Sequence, residues 1–529
     1  MSQEAESRFY EEQKKYEYLQ YVIPDQNNIP RGKVVTGRFK EKFAKEGWET
    51  ANVICMNGPN CEFAFSIFDV YGHDMPNEEL RPCLETLTPW PWVGREGRRV
   101  GNVLCDLYHF DGTPDLSSPR QLMKAQLDTL RRDHGLVLKT AFEYEFGVYK
   151  EGTLEPLGGN RLWCYNLRHW ARHQDLFCDL TDLLKVMGLE VSSLMSEFPP
   201  GQWEITTEPE EGVRGGDVCF YVKNAVKGFF ETRDYTATFM AKPTVENMAA
   251  GLHLNHSLWS LGEGEEGKEG GEEGGENGEK DGGGNFKYGD KSEIEAGEAG
   301  RIRTSGVKDG IESTVTQPSK AHQSDRCKTA KATDSRTRGD RNTGGRNVML
   351  DDTDPDNMSK TARHWLAGLL HHAPALTALC CPTLNCYRRL FSGPTPSKIT
   401  WGVDDRRGVF RVHNAKNNVY IENRLASAPC SPYLAIAGTV AAGLDGLKRE
   451  LDLPKAGVAE KAEDLPKTLA DALDALEKDE ELRSLLGERF VQVYLKAKRE
   501  YEVQRYLAAN LDTEEKQMEF ERNMYFESM

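Results

Sequence analysis

Residues from about 261 to 347 cannot join a packed core. The stretch opens Leu-Gly-Glu-Gly-Glu-Glu-Gly-Lys-Glu-Gly-Gly-Glu-Glu-Gly and continues as a mixture of Ser, Thr, Lys and Arg with almost no large apolar side chains. So little apolar surface cannot offset the conformational entropy of ordering it, and the sequence predicts a disordered insertion carried on the surface. Long loops cost little more to close than short ones, so such an insertion is tolerated. The fold must then be built from the two flanking segments, each completing the other.

Those flanks have the means. The chain has 529 residues, enough for about three domains, and 38% of them are apolar. A formal net charge of -17 argues against a nucleic-acid partner, because phosphate backbones demand a concentrated basic surface. The N-terminal segment is too polar and acidic for a signal peptide. No window approaches the roughly 18 to 20 apolar residues of a membrane span, so no membrane association and a cytoplasmic location are expected. Twelve cysteines are scattered without Cys-x-x-Cys spacing, and no disulfide framework is expected.

Short β-like runs at 32–36, 62–70 and 99–107, separated by turn residues, read as a small α/β domain. Ser117-Ser118-Pro119-Arg120 then sets up a helix that ends near Gly135. Residues 137–251 alternate strands and helices, 361–384 read as helical, and strands return up to Arg424. This is one α/β domain interrupted by the insertion. From about Ser431 the chain is helical, with a charged amphipathic run from Leu482 to Leu507 whose charges read as a solvated face.

The chemistry lies on period-two strands. In Ala-Phe-Glu-Tyr-Glu-Phe (141–146), Glu143 and Glu145 project to one face. Glu197 precedes a Pro-Pro-Gly turn and Glu204 follows it, so the turn can bring both to one point. His253 and Asn255 share a face, as do Glu422 and Arg424. Five carboxylates and an imidazole on separate strands suit two hard divalent cations. Arg388 and Arg389, with Arg406, Arg407 and Arg411, supply planar forks that match phosphate and carboxylate. Metals with arginines suit phosphoryl transfer, and no Walker-type loop is present.

Taken in order, these segments resemble the glutamine synthetase family over nearly the whole chain outside the insertion. Asp25 with Arg31-Gly32-Lys33 looks like the family's β-grasp segment. Lys223, Lys227 and residues 236–243 look like its central strand motif, and residues 428–434 like its closing Pro-Tyr-Leu. The resemblance implies an α+β fold: an N-terminal β-grasp domain (1–110) and a catalytic domain (111–529) with a curved antiparallel sheet and surrounding helices. It implies ATP as co-substrate and two Mg2+ or Mn2+ ions, one held by Glu145, Glu197 and Glu204, the other by Glu143, His253 and Glu422.

By the same resemblance, Arg389 and Arg424 bind the glutamate carboxylates, and Arg406 and Arg411 face the ATP phosphates. Arg406 is also placed with Asp25 in the chemistry, Asp25 reaching from an adjacent protomer of a ring-shaped homo-oligomer. The implied reaction forms γ-glutamyl phosphate and passes the glutamyl group to ammonia. The family's loop glutamate should fall in Phe391–Ser397, which has no acid, and the second histidine of its His-x-His is Asn255. A larger amine, such as a polyamine, is therefore the alternative acceptor, and a noncatalytic scaffold on the same fold is the remaining reading.

Overall fold

The computed structural model describes residues 3–91, 99–245, 249–261, 345–393, 395–415, 418–457 and 462–529. Local signals set its framework. The helix Pro119–His134 is capped by Ser118, whose side chain accepts from Gln121 N, and starts with proline, whose missing N–H costs nothing there. Gly135 ends it at φ 62°, a left-handed conformation that glycine adopts without strain, and the longest strand begins at once.

Six strands form a first sheet: β1 (Tyr18–Pro24), β2 (Pro30–Thr36), β3 (Trp48–Ala51), β4 (Asn77–Pro82), β5 (Thr88–Pro89) and β6 (Val100–Tyr108), in the order β2-β1-β6-β4-β3 with β5 beside β6. β1 runs parallel to β6, and β1 and β2 form a hairpin, a β-grasp arrangement. One face buries Leu19, Tyr21, Ile23, Val103, Cys105 and Leu107 with Phe9 and Trp48.

Nine strands form the second sheet: β7 (Leu136–Lys150), β8 (Val191–Ser196), β9 (Gln202–Thr207), β10 (Glu210–Glu211), β11 (Tyr235–Thr238), β12 (Leu252–Ser260), β13 (Trp401–Val403), β14 (Phe410–Ala415) and β15 (Asn418–Asn423). Its path is β13-β14-β15-β12-β7-β9-β8, with β10 and β11 also on β7, curled into a half-barrel. On β7, Phe142, Tyr144, Phe146 and Val148 are buried in the main core, which includes Phe220, Phe229 and Phe230 of the helix Val213–Glu231. Burying such rings stabilises each by about 1.5–3 kcal/mol and fixes the register, since a one-residue slip would turn Glu143 and Glu145 into that core.

The catalytic sheet is antiparallel, as the resemblance implies, except for β13 on β14, and hairpins such as β8–β9 join neighbouring strands. Three expectations need correction or restriction. Residues 62–70 are not a strand: Phe65–Ile67 and Phe68–Tyr71 are short helical turns, held by Glu500, whose carboxylate accepts from Phe65 N and Ser66 N. The run 482–507 breaks at Gly487 (φ 91°) and contains a π-helical stretch, Arg499–Gln504. Its charges are not all solvated, since Lys498 and Glu502 are buried, with Lys498 Nζ on Glu502 Oε1 (2.6 Å) and Asn27 Oδ1 (3.0 Å). Of the proposed insertion, 262–344 lie outside the described residues, while Asn347 already pairs with Trp259. No helix among the described residues is long and apolar enough to cross a membrane.

Candidate active site

Cross-strand register assembles the acids. Glu145 lies opposite Glu204, Glu143 opposite His253, Asn255 opposite Glu422, and Glu422 opposite Arg411. Directly paired residues of an antiparallel sheet share a face, so five strands present these groups to one side, away from the Phe142 and Tyr144 face. Glu197 joins them from the end of β8, where its N–H bonds Gln202 O across the Pro-Pro-Gly turn.

His253 is the hub. Its Nδ1 lies 2.9 Å from Glu143 Oε2, 3.6 Å from Glu422 Oε1 and 3.8 Å from Glu145 Oε1. Ligating atoms of Glu143, His253 and Glu422 all fall within 4.8 Å of one another. Glu145 Oε2 accepts from Gly251 N (2.9 Å) and Gln202 Nε2 (3.0 Å), which aims its other oxygen at His253.

The electrostatics differ on the two sides. Burial, then Glu145, pushes Glu197 up to about 7 and Glu204 up to about 9. Those carboxylates strain to take protons because they face one another in a partly dry place. Burial would also raise Glu422, but His413, His253 and Arg424 hold it well below the usual range. Glu143 is likewise lowered, because its contact with His253 outweighs its burial. All-oxygen donors on one side and two carboxylates with an imidazole on the other fit hard divalent cations. Gly251 keeps space for them: a Cβ there would stand 2.9 Å from His253 Nε2, 3.0 Å from Arg389 Nη2 and 3.2 Å from Glu145 Oε1. Gly251→Ala is expected to displace these three groups and lower any metal-dependent turnover about 100-fold while the chain still folds, checked by steady-state kinetics beside circular dichroism.

The arginines are placed less uniformly. Arg424 Nη1 and Arg411 Nη1 both donate to Glu422, at 2.5 and 3.1 Å, while each Nε is buried without an acceptor. Arg389 is buried beside the cluster, donating to Arg424 O and Leu425 O with Nη2 3.3 Å from His253 Nε2. Arg406 is exposed on the turn after β13, and its charge reaches Tyr165, which also feels Glu197 and Glu204. Asp25 is fully buried in the β1–β2 turn: Oδ1 accepts from Asn27 N and Ile29 N, and Oδ2 from Arg31. No group of the acidic cluster is among those contacts.

Sequence reading missed His413 and Gln202. His413 Nε2 lies 2.9 Å from Glu422 Oε2, its ring stacked on Tyr420. The signal was present, since His413 sits two residues after Arg411 on the same face. Asn255 donates to Glu143 Oε1 (2.9 Å), whereas His256 points the other way and accepts from Trp365.

The family described as "Glutamine synthetase, catalytic domain" matches residues 116–275 and 341–523. The chain belongs to the glutamine synthetase family. Human lengsin is 27% identical over 510 residues, covering 92% of this chain and 80% of that protein, while the chain spans 62% of the length of dog lengsin. Glutamine synthetase of Methanocaldococcus jannaschii is 26% identical over 479 residues, 87% of each chain. A solved GmaS/ADP complex superposes with a TM-score of 0.71 over 99% of both chains at 23% identity, a likeness of fold. Glutamine synthetases are ATP-dependent ligases that use a divalent metal, and the sheet that this family carries is the one holding the six clustered residues here.

Proposed function

We propose that this chain is an ATP-dependent carbon–nitrogen ligase that converts glutamate to γ-glutamyl phosphate and transfers the glutamyl group to ammonia. The observation that carries it is the convergence of Glu143, Glu145, Glu204, His253 and Glu422 on one sheet face by strand register, with Glu197 brought to them by the turn after β8. Glu145, Glu197 and Glu204 would hold one divalent cation, and Glu143, His253 and Glu422 the other. Bound there, the cations supply charge neutralisation for the ATP phosphates and the carboxylate that attacks them.

The chain's own residues do the remaining work. Arg411 and Arg424 each have a buried Nε with no acceptor, a donor ready for a phosphate or carboxylate oxygen. Arg411 and Arg406 would face the phosphates, with Arg406 meeting the transferred charge, while Arg389 and Arg424 would orient glutamate. Gln202 and Gly251 N fix Glu145, and Asn255 fixes Glu143. In the first step a γ-carboxylate oxygen bonds to the γ-phosphorus of ATP and ADP leaves. In the second the amine nitrogen bonds to the acyl carbon of the γ-glutamyl phosphate, the amine loses a proton, and the carbon–oxygen bond to phosphate breaks so that phosphate leaves. Phosphorylation turns a poor leaving group into a good one.

Asp25, lent by residues 1–110 to the catalytic domain (111–529) of an adjacent protomer in a ring, would position or deprotonate the amine. A second reading, in which the acceptor is a larger amine, is favoured by Phe391–Ser397, which lacks an acid to bind ammonium. The test is phosphate release by the purified chain with Mg2+, ATP and glutamate, comparing ammonium with monoamines and polyamines. Turnover with ammonium, abolished by a chelator, is the expected result. Turnover only with a larger amine selects the second reading, and none with any amine overturns both in favour of a scaffold.

A further inference from the structure

A second convergence of ligating atoms lies in the first sheet. Glu79 of β4 pairs with Tyr108 at the end of β6, setting Glu78 beside the turn that follows. That turn is closed by His109 N on Thr113 O and Gly112 N on His109 O. The chain then returns, Pro114 pairing with Tyr108 and Asp115 N bonding Leu107 O. His109 Nδ1 is thereby set 2.9 Å from Glu78 Oε1, and ligating atoms of Glu78, His109 and Asp115 lie within 4.8 Å of one another.

One oxygen of each carboxylate lacks a donor, although Asp115 Oδ1 accepts from Ser117 N. Glu78 and Asp115 are 4% and 3% exposed, yet Glu78 Oε2 and Asp115 Oδ2 have no hydrogen-bond partner. Ser117 Oγ, 4% exposed and two residues from Asp115, is buried without a partner as well. Buried carboxylate oxygens without donors are costly unless something positive lies between them. Arg489, whose charge Glu78 feels, lies with its guanidinium over the Tyr71 ring, 4.9 Å from the centroid. The His109 side chain is 31% exposed, which leaves an entry path.

We propose that Glu78, His109 and Asp115 form a structural site for a divalent first-row transition cation. One imidazole nitrogen and two carboxylates make a three-ligand set that water completes, a donor mixture suited to Zn2+, Mn2+ or Co2+. The cation ties β4 and β6 to the segment that launches the helix Pro119–His134, because Asp115 O also accepts from Ser118 N, the helix cap. The competing occupant is a proton shared between the two carboxyls, toward which burial and then the facing Asp115 already incline Glu78, raised to about 9.

Chelator-treated full chain is reloaded with Co2+ or Zn2+, passed over a desalting column and analysed for bound metal and for visible cobalt absorption. His109→Gln is compared with wild type, and Glu145→Ala serves to separate this site from the acidic cluster on the second sheet. The expected result is that His109→Gln binds one cation per chain fewer and loses the corresponding cobalt band, while Glu145→Ala loses cation from the acidic cluster only and keeps that band. His109 is partly exposed, so the variant is expected to melt, metal-free, at the wild-type temperature. Equal stoichiometry and identical cobalt spectra in wild type and His109→Gln would overturn the site and leave the shared proton.

Discussion

Arg120→Ala is expected to cost the fold about 3–5 kcal/mol, the penalty for removing one partner from a buried ionic network. Arg120 is 1% exposed and donates to Asp217 through Nε and Nη2, both at 2.8 Å, and to Asp106 through Nη1 at 2.6 Å. Lys124 adds a bond to Asp106, and Tyr433 one to Asp217. The guanidinium thus joins β6, its own helix Pro119–His134 and the helices Val213–Glu231 and Pro432–Arg449. Alanine would leave Asp106 and Asp217, both buried, without the guanidinium that balances their charge. Denaturant unfolding of wild type and variant at neutral pH measures the loss, and a difference under about 1 kcal/mol would contradict this account.

The same network sets a sign for acid sensitivity. Burial alone would raise Asp106, but Arg120 and Lys124 hold it below the usual carboxylate value. A depressed folded-state pKa contributes stability that is present above the unfolded value, about 4, and is lost as pH falls through the lower folded one. The gap between wild type and Arg120→Ala should therefore narrow on acidification below about pH 4.

How much of this was legible in the sequence depended on range. The helix Pro119–His134 was readable because Ser118, Pro119 and Gly135 are local signals acting on their own backbone. The acids were readable because period two forces Glu143 and Glu145 to one face, and the resemblance supplied their partners on other strands. Phe63, Phe65, Ile67 and Phe68 defeated the reading, since a short apolar run does not separate strand from helical turn. What decides it is the Glu500 carboxylate, more than 400 residues away in the chain. Lys498 and Glu502 failed for the opposite reason: charged residues on a helix are normally solvated, and only Asn27 and Tyr525, brought in by tertiary packing, make their burial affordable. The arginines show a third limit, because spacing finds guanidinium groups but does not say that Arg389 would spend its donors on backbone carbonyls.

Loss of Glu145 is expected to have the largest effect on activity: metal-dependent phosphate release should fall about a thousandfold or more. Glu145 stands between the two halves of the acidic cluster. It lies opposite Glu204 on β9, is the leading charge on both Glu197 and Glu204, and sets Oε1 3.8 Å from His253 Nδ1. A cation stabilising transferred charge contributes several kcal/mol, and each 1.36 kcal/mol is tenfold in rate. Glu145→Ala also orphans Gly251 N and Gln202 Nε2, so a loss of activity alone could reflect local collapse. Glu145→Gln separates the two causes, because its amide oxygen still accepts from both donors while the charge is gone. If both variants lose turnover and metal affinity while the glutamine variant keeps the wild-type unfolding midpoint, the carboxylate acts through its charge. A glutamine variant with wild-type turnover would remove Glu145 from the metal site and with it the reading of the cluster as a phosphoryl-transfer centre.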